Sequence, residues 1–137
     1  MITFQKITWS NFLSTGQHPT TVNLDQSATT LIIGSNGAGK STILDALTFS
    51  LYGKAFRKIN KNQLINTTNE KNCLVVIEFN TNGIDWKVER GIKPNIFKIY
   101  RNGEELNQSH SAAEQQKWLE QTVLKMNYKS FTQIVIL

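Results

Sequence analysis

The 137 residues are 39% hydrophobic, enough for one packed core and so for a single domain or lobe. Fifteen Lys and Arg against ten Asp and Glu leave a formal charge of +5, which suits a polyanionic partner and an ordinary solvated surface equally well. A single cysteine excludes an internal disulfide and fits a reducing, cytoplasmic setting; no apolar run reaches the ~20 residues of a membrane span, and no leader pattern is read at the N-terminus.

Ile2–Trp9 is rich in β-branched and aromatic residues and predicts a strand, with Thr21–Leu24 expected to pair with it across the turn at Gly16–Pro19. Thr30-Leu31-Ile32-Ile33 reads as a short buried strand. It runs into Gly34-Ser35-Asn36-Gly37-Ala38-Gly39-Lys40-Ser41-Thr42, which meets the pattern G-x-x-x-x-G-K-[ST] at every defined position. Ile43–Leu47 then reads as a helix, whose Leu44, Leu47 and Leu51 form one apolar stripe and whose C-terminal cap is Gly53. A strand that turns through a glycine-rich loop into a helix N-terminus makes an anion site. Glycines let the backbone approach a phosphate closely, and successive N–H groups converge on it. Lys40 suits the β- and γ-phosphates as a point charge, and the Ser41 hydroxyl suits the Mg²⁺ that bridges them. The candidate nucleotide-binding residues are therefore Ser35, Asn36, Gly37, Ala38, Gly39, Lys40, Ser41 and Thr42, with Ser41 also the candidate metal ligand.

Lys54, Arg57, Lys58 and Lys61 follow that helix with no acid among them, and a polar stretch occupies Asn66–Asn72. Three strands are predicted next, Cys73–Phe79, Ile84–Arg90 and Asn95–Tyr100. Asn82-Gly83 and Asn102-Gly103 are two-residue hairpin signals, the second returning through Glu104–Leu106. Cys73 stands in an apolar run and reads as a small core residue. Lys87, Arg90, Lys93, Lys98 and Arg101 form a second basic group, diluted by Glu89; together the two groups are a candidate non-specific DNA surface. Ser111-Ala112-Ala113-Glu114 is a capping box opening a helix lined by Leu119, Val123 and Met126. Ile134-Val135-Ile136-Leu137 has the continuous apolar character of a strand buried on both faces, so the polypeptide is expected to continue beyond it.

Hydrolysis by such a loop also needs an acid near Mg²⁺ and a group that positions water. No apolar run ends in adjacent acids, and Glu78 in its alternating strand reads as solvent-facing. His18 and His110 are isolated, and no Ser-His-Asp, Cys-His or metal-ligand cluster is present in the sequence. The chain is expected to bind nucleotide with no catalytic residue of its own.

Four segments resemble the N-terminal lobe of the SMC-like ATPases of DNA repair and recombination, the SbcC type that includes the ATPase subunit of phage recombination endonucleases. They are Ile7–Phe12 with its Asn-Phe turn, the extended loop and helix Leu31–Leu47, the helix end and connector at Leu51–Lys54 and Gln63–Asn66, and Ser130–Leu137. The resemblance spans essentially the whole chain. It implies an α/β P-loop fold, the N-terminal lobe of an ABC/SMC-type head carrying an antiparallel β annex. A coiled coil and a C-terminal lobe with the signature motif, the Walker B acids and a switch histidine would lie outside residues 1–137. It implies ATP and Mg²⁺ as cofactors. The implied partners are that C-terminal lobe, a second head in a homodimer, an SbcD-type nuclease subunit and DNA, with no membrane partner. Asn36, Gly37, Gly39, Lys40, Ser41 and Thr42 match nucleotide-contacting positions of the family, and Asn66 falls near a connector position. Leu13 stands where the family often has Arg or Lys, and the Q-loop glutamine would fall just past Leu137, distinct from Gln133.

Two other classes fit a nucleotide loop. One is a transport-type ABC ATPase, although the interval from Thr42 to Phe131 with two Asn-Gly hairpins is long for that class. The other is a nucleotide-gated interaction module without turnover. A small-molecule kinase is disfavoured by the lack of an arginine-bearing lid helix.

Overall fold

Cys73–Thr81 buries every second side chain, the period of a strand with one face against a core. The computed structural model describes residues 2–12, 20–23, 38–54, 72–93, 95–106, 111–125 and 127–135. Among them, β1 (Ile2–Ser10), β2 (Thr20–Asn23), β3 (Cys73–Thr81), β4 (Ile84–Ile92), β5 (Ile96–Arg101) and β6 (Glu104–Glu105) form one antiparallel sheet. Its order is β2-β1-β3-β4-β5-β6. The expected pairing of the first two strands is present, with Ile7 opposite Val22. The expected strand at residues 30–33 lies outside the described residues.

Both Asn-Gly turns are as the sequence predicts. Asn82 and Gly83 take φ of 54° and 80°, and Asn102 and Gly103 take 49° and 87°. Two successive left-handed residues match the right-handed twist of the strands they join, and Asn and Gly tolerate that region best. At the start of β3, Asn11 (φ 50°) donates its side-chain amide to the Asn72 carbonyl at 3.3 Å, tying the end of β1 to the next strand.

Ile7, Trp9, Val75, Ile77, Phe79, Val88 and Ile99 supply the buried face of the sheet. Helix α1 (Ala38–Tyr52) packs on that face against β1, β3 and β4. Its residues from Asp45 to Tyr52 are all buried, with Leu47 and Leu51 in the predicted stripe. Gly53 ends the helix at φ 79°, and its N–H returns to the Phe49 carbonyl at 2.8 Å, the predicted cap.

The opposite face is polar and aligned in register: Lys6, Glu78, Lys87, Tyr100 and Glu105 stand side by side across five strands. Lys6 pairs with Glu78 at 3.3 Å, and the Lys87 ammonium lies 4.4 Å from the Tyr100 ring centre. Glu78 is thus a solvent-facing partner of Lys6, as its place in the strand predicts.

Ser111 caps α2 (Ala112–Trp118) by accepting the Glu114 N–H at 3.2 Å. The helix expected to run on regularly instead changes to a π-helical segment at Leu119–Leu124, which closes on left-handed Lys125. The wider turn buries Leu119, Val123 and Leu124 together, a set that includes an i, i+5 pair. Met126 lies outside the described residues.

The predicted terminal strand is corrected. Tyr128–Val135 forms a helix, α3, and residues 136 and 137 lie outside the described residues. The cause is upstream: Asn127 accepts the Ser130 N–H on its side chain at 2.8 Å and the Phe131 N–H on its carbonyl at 2.9 Å. That N-cap starts a helix whose Phe131 is buried, its ring 6.0 Å from Phe4 and 5.3 Å from Tyr52.

Candidate functional site

Helix α1 begins at Ala38, inside the glycine-lysine motif, so Ala38, Gly39, Lys40, Ser41 and Thr42 are its first five residues. The first N–H groups of a helix have no partner within it and carry its partial positive charge. No acidic residue stands in the first turn to cancel that charge. A backbone of this kind suits an anionic phosphate, and the lysine and hydroxyl residue types beside it suit phosphate and magnesium respectively. Ser35, Asn36 and Gly37 lie outside the described residues, as does Asn66.

The body of the helix is held firmly. Phe49 meets Phe12 with ring centres 6.0 Å apart, and Tyr52 meets Tyr128 edge to face at 5.8 Å. The buried Thr48 and Ser50 hydroxyls bond back to the carbonyls of Asp45 (3.2 Å) and Leu47 (3.0 Å) within the same helix. Desolvation, then the nearby Glu120, raises Tyr52 well above the usual phenol range, so it stays neutral.

At the far end of the helix three donors from different elements meet three successive carbonyls. The Gly53 N–H takes Phe49 O, Arg90 Nε donates to Ser50 O at 3.3 Å, and Gln116 Nε2 donates to Leu51 O at 2.8 Å. Arg90 Nη2 also donates to Gln116 Oε1, and Gln116 Nε2 reaches Glu120 Oε2 at 2.8 Å. The Arg90 guanidinium stacks 3.7 Å from the centre of the Phe97 ring. Burial pushes Arg90 down to about 9, with Glu120 pulling it back up, so it remains a cation at neutral pH.

This corrects the sequence reading of the second basic group. Arg90 is only 8% exposed and belongs to the core face of β4, with Val88 and Ile92, not to a DNA-facing surface. Lys93, Lys98 and Arg101 are exposed, while Lys87 is engaged by Glu89 at 3.8 Å. Of the first basic group, Lys54 is exposed, with its ammonium 4.3 Å from the Tyr128 ring centre. Arg57, Lys58 and Lys61 lie outside the described residues, as do Leu13, His18 and His110. Cys73 is buried and its thiol is pushed up to about 12, the state of an inert core residue. No group of three metal-ligating side chains occurs among the described residues, and no helix among them is long and apolar enough to cross a membrane.

The AAA domain family matches residues 6–137. Exonuclease subunit 2 of Enterobacteria phage T4 is 45% identical over 96% of this chain, and that of Escherichia phage RB69 is 42% identical over the same share. The chain spans 23% of the length of each. A probable DNA double-strand break repair Rad50 ATPase of Aquifex aeolicus is 33% identical over 78% of the chain and 11% of its own length. In fold, the Smc head domain of Pyrococcus furiosus, solved with an extended coiled coil and bound to the C-terminal domain of ScpA, matches with a TM-score of 0.55. That match covers 94% of this chain and 35% of the other at 18% identity. The expected fold class, an α/β head lobe with an antiparallel annex, is the one found.

Proposed function

This chain belongs to the AAA domain family, and from that membership we propose that it is the ATP-binding N-terminal lobe of an ATPase head that works in DNA repair or recombination. The observation that carries the reading is the start of α1 within the motif, with no acid in its first turn and its body clamped to the sheet. Lys40 and the backbone N–H groups of Gly37 to Thr42 would hold the phosphates, Ser35 and Asn36 would complete the loop, and Ser41 would hold Mg²⁺. Bound Mg²⁺ would neutralise charge on the β- and γ-phosphates. The relatives' names support a nuclease partner and double-strand break repair, and we extend both to the protein that carries this lobe. A C-terminal lobe and a second head would complete the site.

Calorimetry with MgATP tests the proposal. Lys40→Ala is expected to leave the fold intact and weaken binding about ten- to a hundredfold, the range for losing a charge-assisted contact of about 1.5–3 kcal/mol. Equal affinity in wild type and variant would remove Lys40 from the site.

A further inference from the structure

We infer that Arg90 is a positioning residue for the nucleotide site, acting with Gln116 through the far end of the helix that starts there. The inference rests on the nucleotide reading of α1 given above. Helix C-terminal carbonyls are left unpaired by the helix itself and attract cations and donors. α1 has no basic residue in its own last turn. Arg90 supplies that charge from β4, and Gln116 supplies a second donor from α2, so the annex and the following helix both grip the same helix end.

The surroundings are shaped for the guanidinium. Phe97, directly opposite Arg90 in the sheet, lies beneath its plane. Gly53 leaves the space above: a Cβ there would come within 3.2 Å of Arg90 Nη1. Gln116 is used at both ends of its amide, accepting from Arg90 and donating to Leu51 O and Glu120. An apolar side chain at position 90 would fill a core more cheaply than a buried cation. The arginine meets the end of this 15-residue helix directly through Nε and, through Nη2, holds the Gln116 amide that donates to Leu51 O. A small shift of that end moves the other, where sub-ångström placement of phosphate donors decides affinity.

The test compares Arg90→Lys, Arg90→Met and Gln116→Leu with wild type in the full chain, using MgATP as the probe. Calorimetry is run well below each unfolding midpoint, near-ultraviolet dichroism reports folding, and amide exchange is followed along Ala38–Tyr52. Expected are folded variants with affinity reduced about tenfold for Arg90→Met and about threefold for Arg90→Lys and Gln116→Leu. With MgATP bound, exchange should quicken at the Ala38–Thr42 end as well as beside Ser50. Arg90→Lys keeps the charge and one donor, so it should recover part of the loss, and it carries the test if Arg90→Met does not fold. Lower unfolding midpoints with unchanged affinity would make Arg90 a stabilising residue only and overturn the inference. A wild-type chain that binds no MgATP would instead overturn the nucleotide reading beneath it.

Discussion

Cys73 is 1% exposed, and burial raises its thiol from an ordinary 9.0 to about 12. The unfolded chain loses this proton near 9 while the native chain keeps it. The buried thiol's contribution is therefore whole below that pH and is lost as pH rises towards 12. Urea titrations across this window should show the unfolding free energy falling by up to about 1.4 kcal/mol per pH unit from one such group. Tyr52, raised by desolvation and by Glu120, adds to the fall at the alkaline end. Cys73→Ala should make the slope shallower; an unchanged slope would assign the loss to the tyrosines. The core role of Cys73 was legible because it sits in an apolar, alternating run. Arg90 was misread because charged strand residues usually face water. Its parity with Trp86, Val88 and Ile92 was the available signal, but parity alone does not name the helix end it meets.

At the scale of elements, two sites set the geometry most sharply. A Cβ on Gly91 would stand 2.9 Å from the Cys73 carbonyl oxygen, so Gly91→Ala must push β3 and β4 apart or tilt one of them. A loss of about 1–3 kcal/mol in chemical denaturation is expected, the usual cost of overpacking. Asn127→Ala removes the cap of α3 and should cost about 1 kcal/mol, read as a lower thermal midpoint. The strands and hairpins were legible because period-two burial and Asn-Gly turns are local signals that the tertiary structure agrees with. The last helix was not. A short apolar run such as Ile134–Leu137 fits a buried strand or a helix equally, and the residue that decides, Asn127, lies seven positions before it. The π-helical segment was hidden too: its buried set, Leu119, Val123 and Leu124, includes an i, i+5 pair that the regular helical period does not predict.

For the molecule as a whole, the proposed composite site has a direct consequence. Residues 1–137 alone should bind ATP but hydrolyse it near the background rate, because water positioning and charge stabilisation supply orders of magnitude in rate. Adding a C-terminal lobe in trans should restore turnover with a steep dependence on protein concentration. Concentration-independent turnover by the chain alone, abolished by Lys40→Ala, would mean that its active site is complete. The sheet order also has a consequence for how the lobe is made. β3, β4 and β5 are neighbours in sequence, whereas β1 must find β3 across the glycine-lysine motif and α1, with Ser10 meeting Leu74. Long loop closures cost entropy before any contact rewards them, so the β3–β5 meander should assemble first and β1 should dock late. In chevron measurements Val88→Ala should chiefly slow refolding and Ile7→Val chiefly speed unfolding. On a ribosome the order of synthesis runs the other way. The nascent chain emerges with β1 paired at most to β2, and α1 lacks most of the sheet face it packs on until residues 73–92 have followed it out.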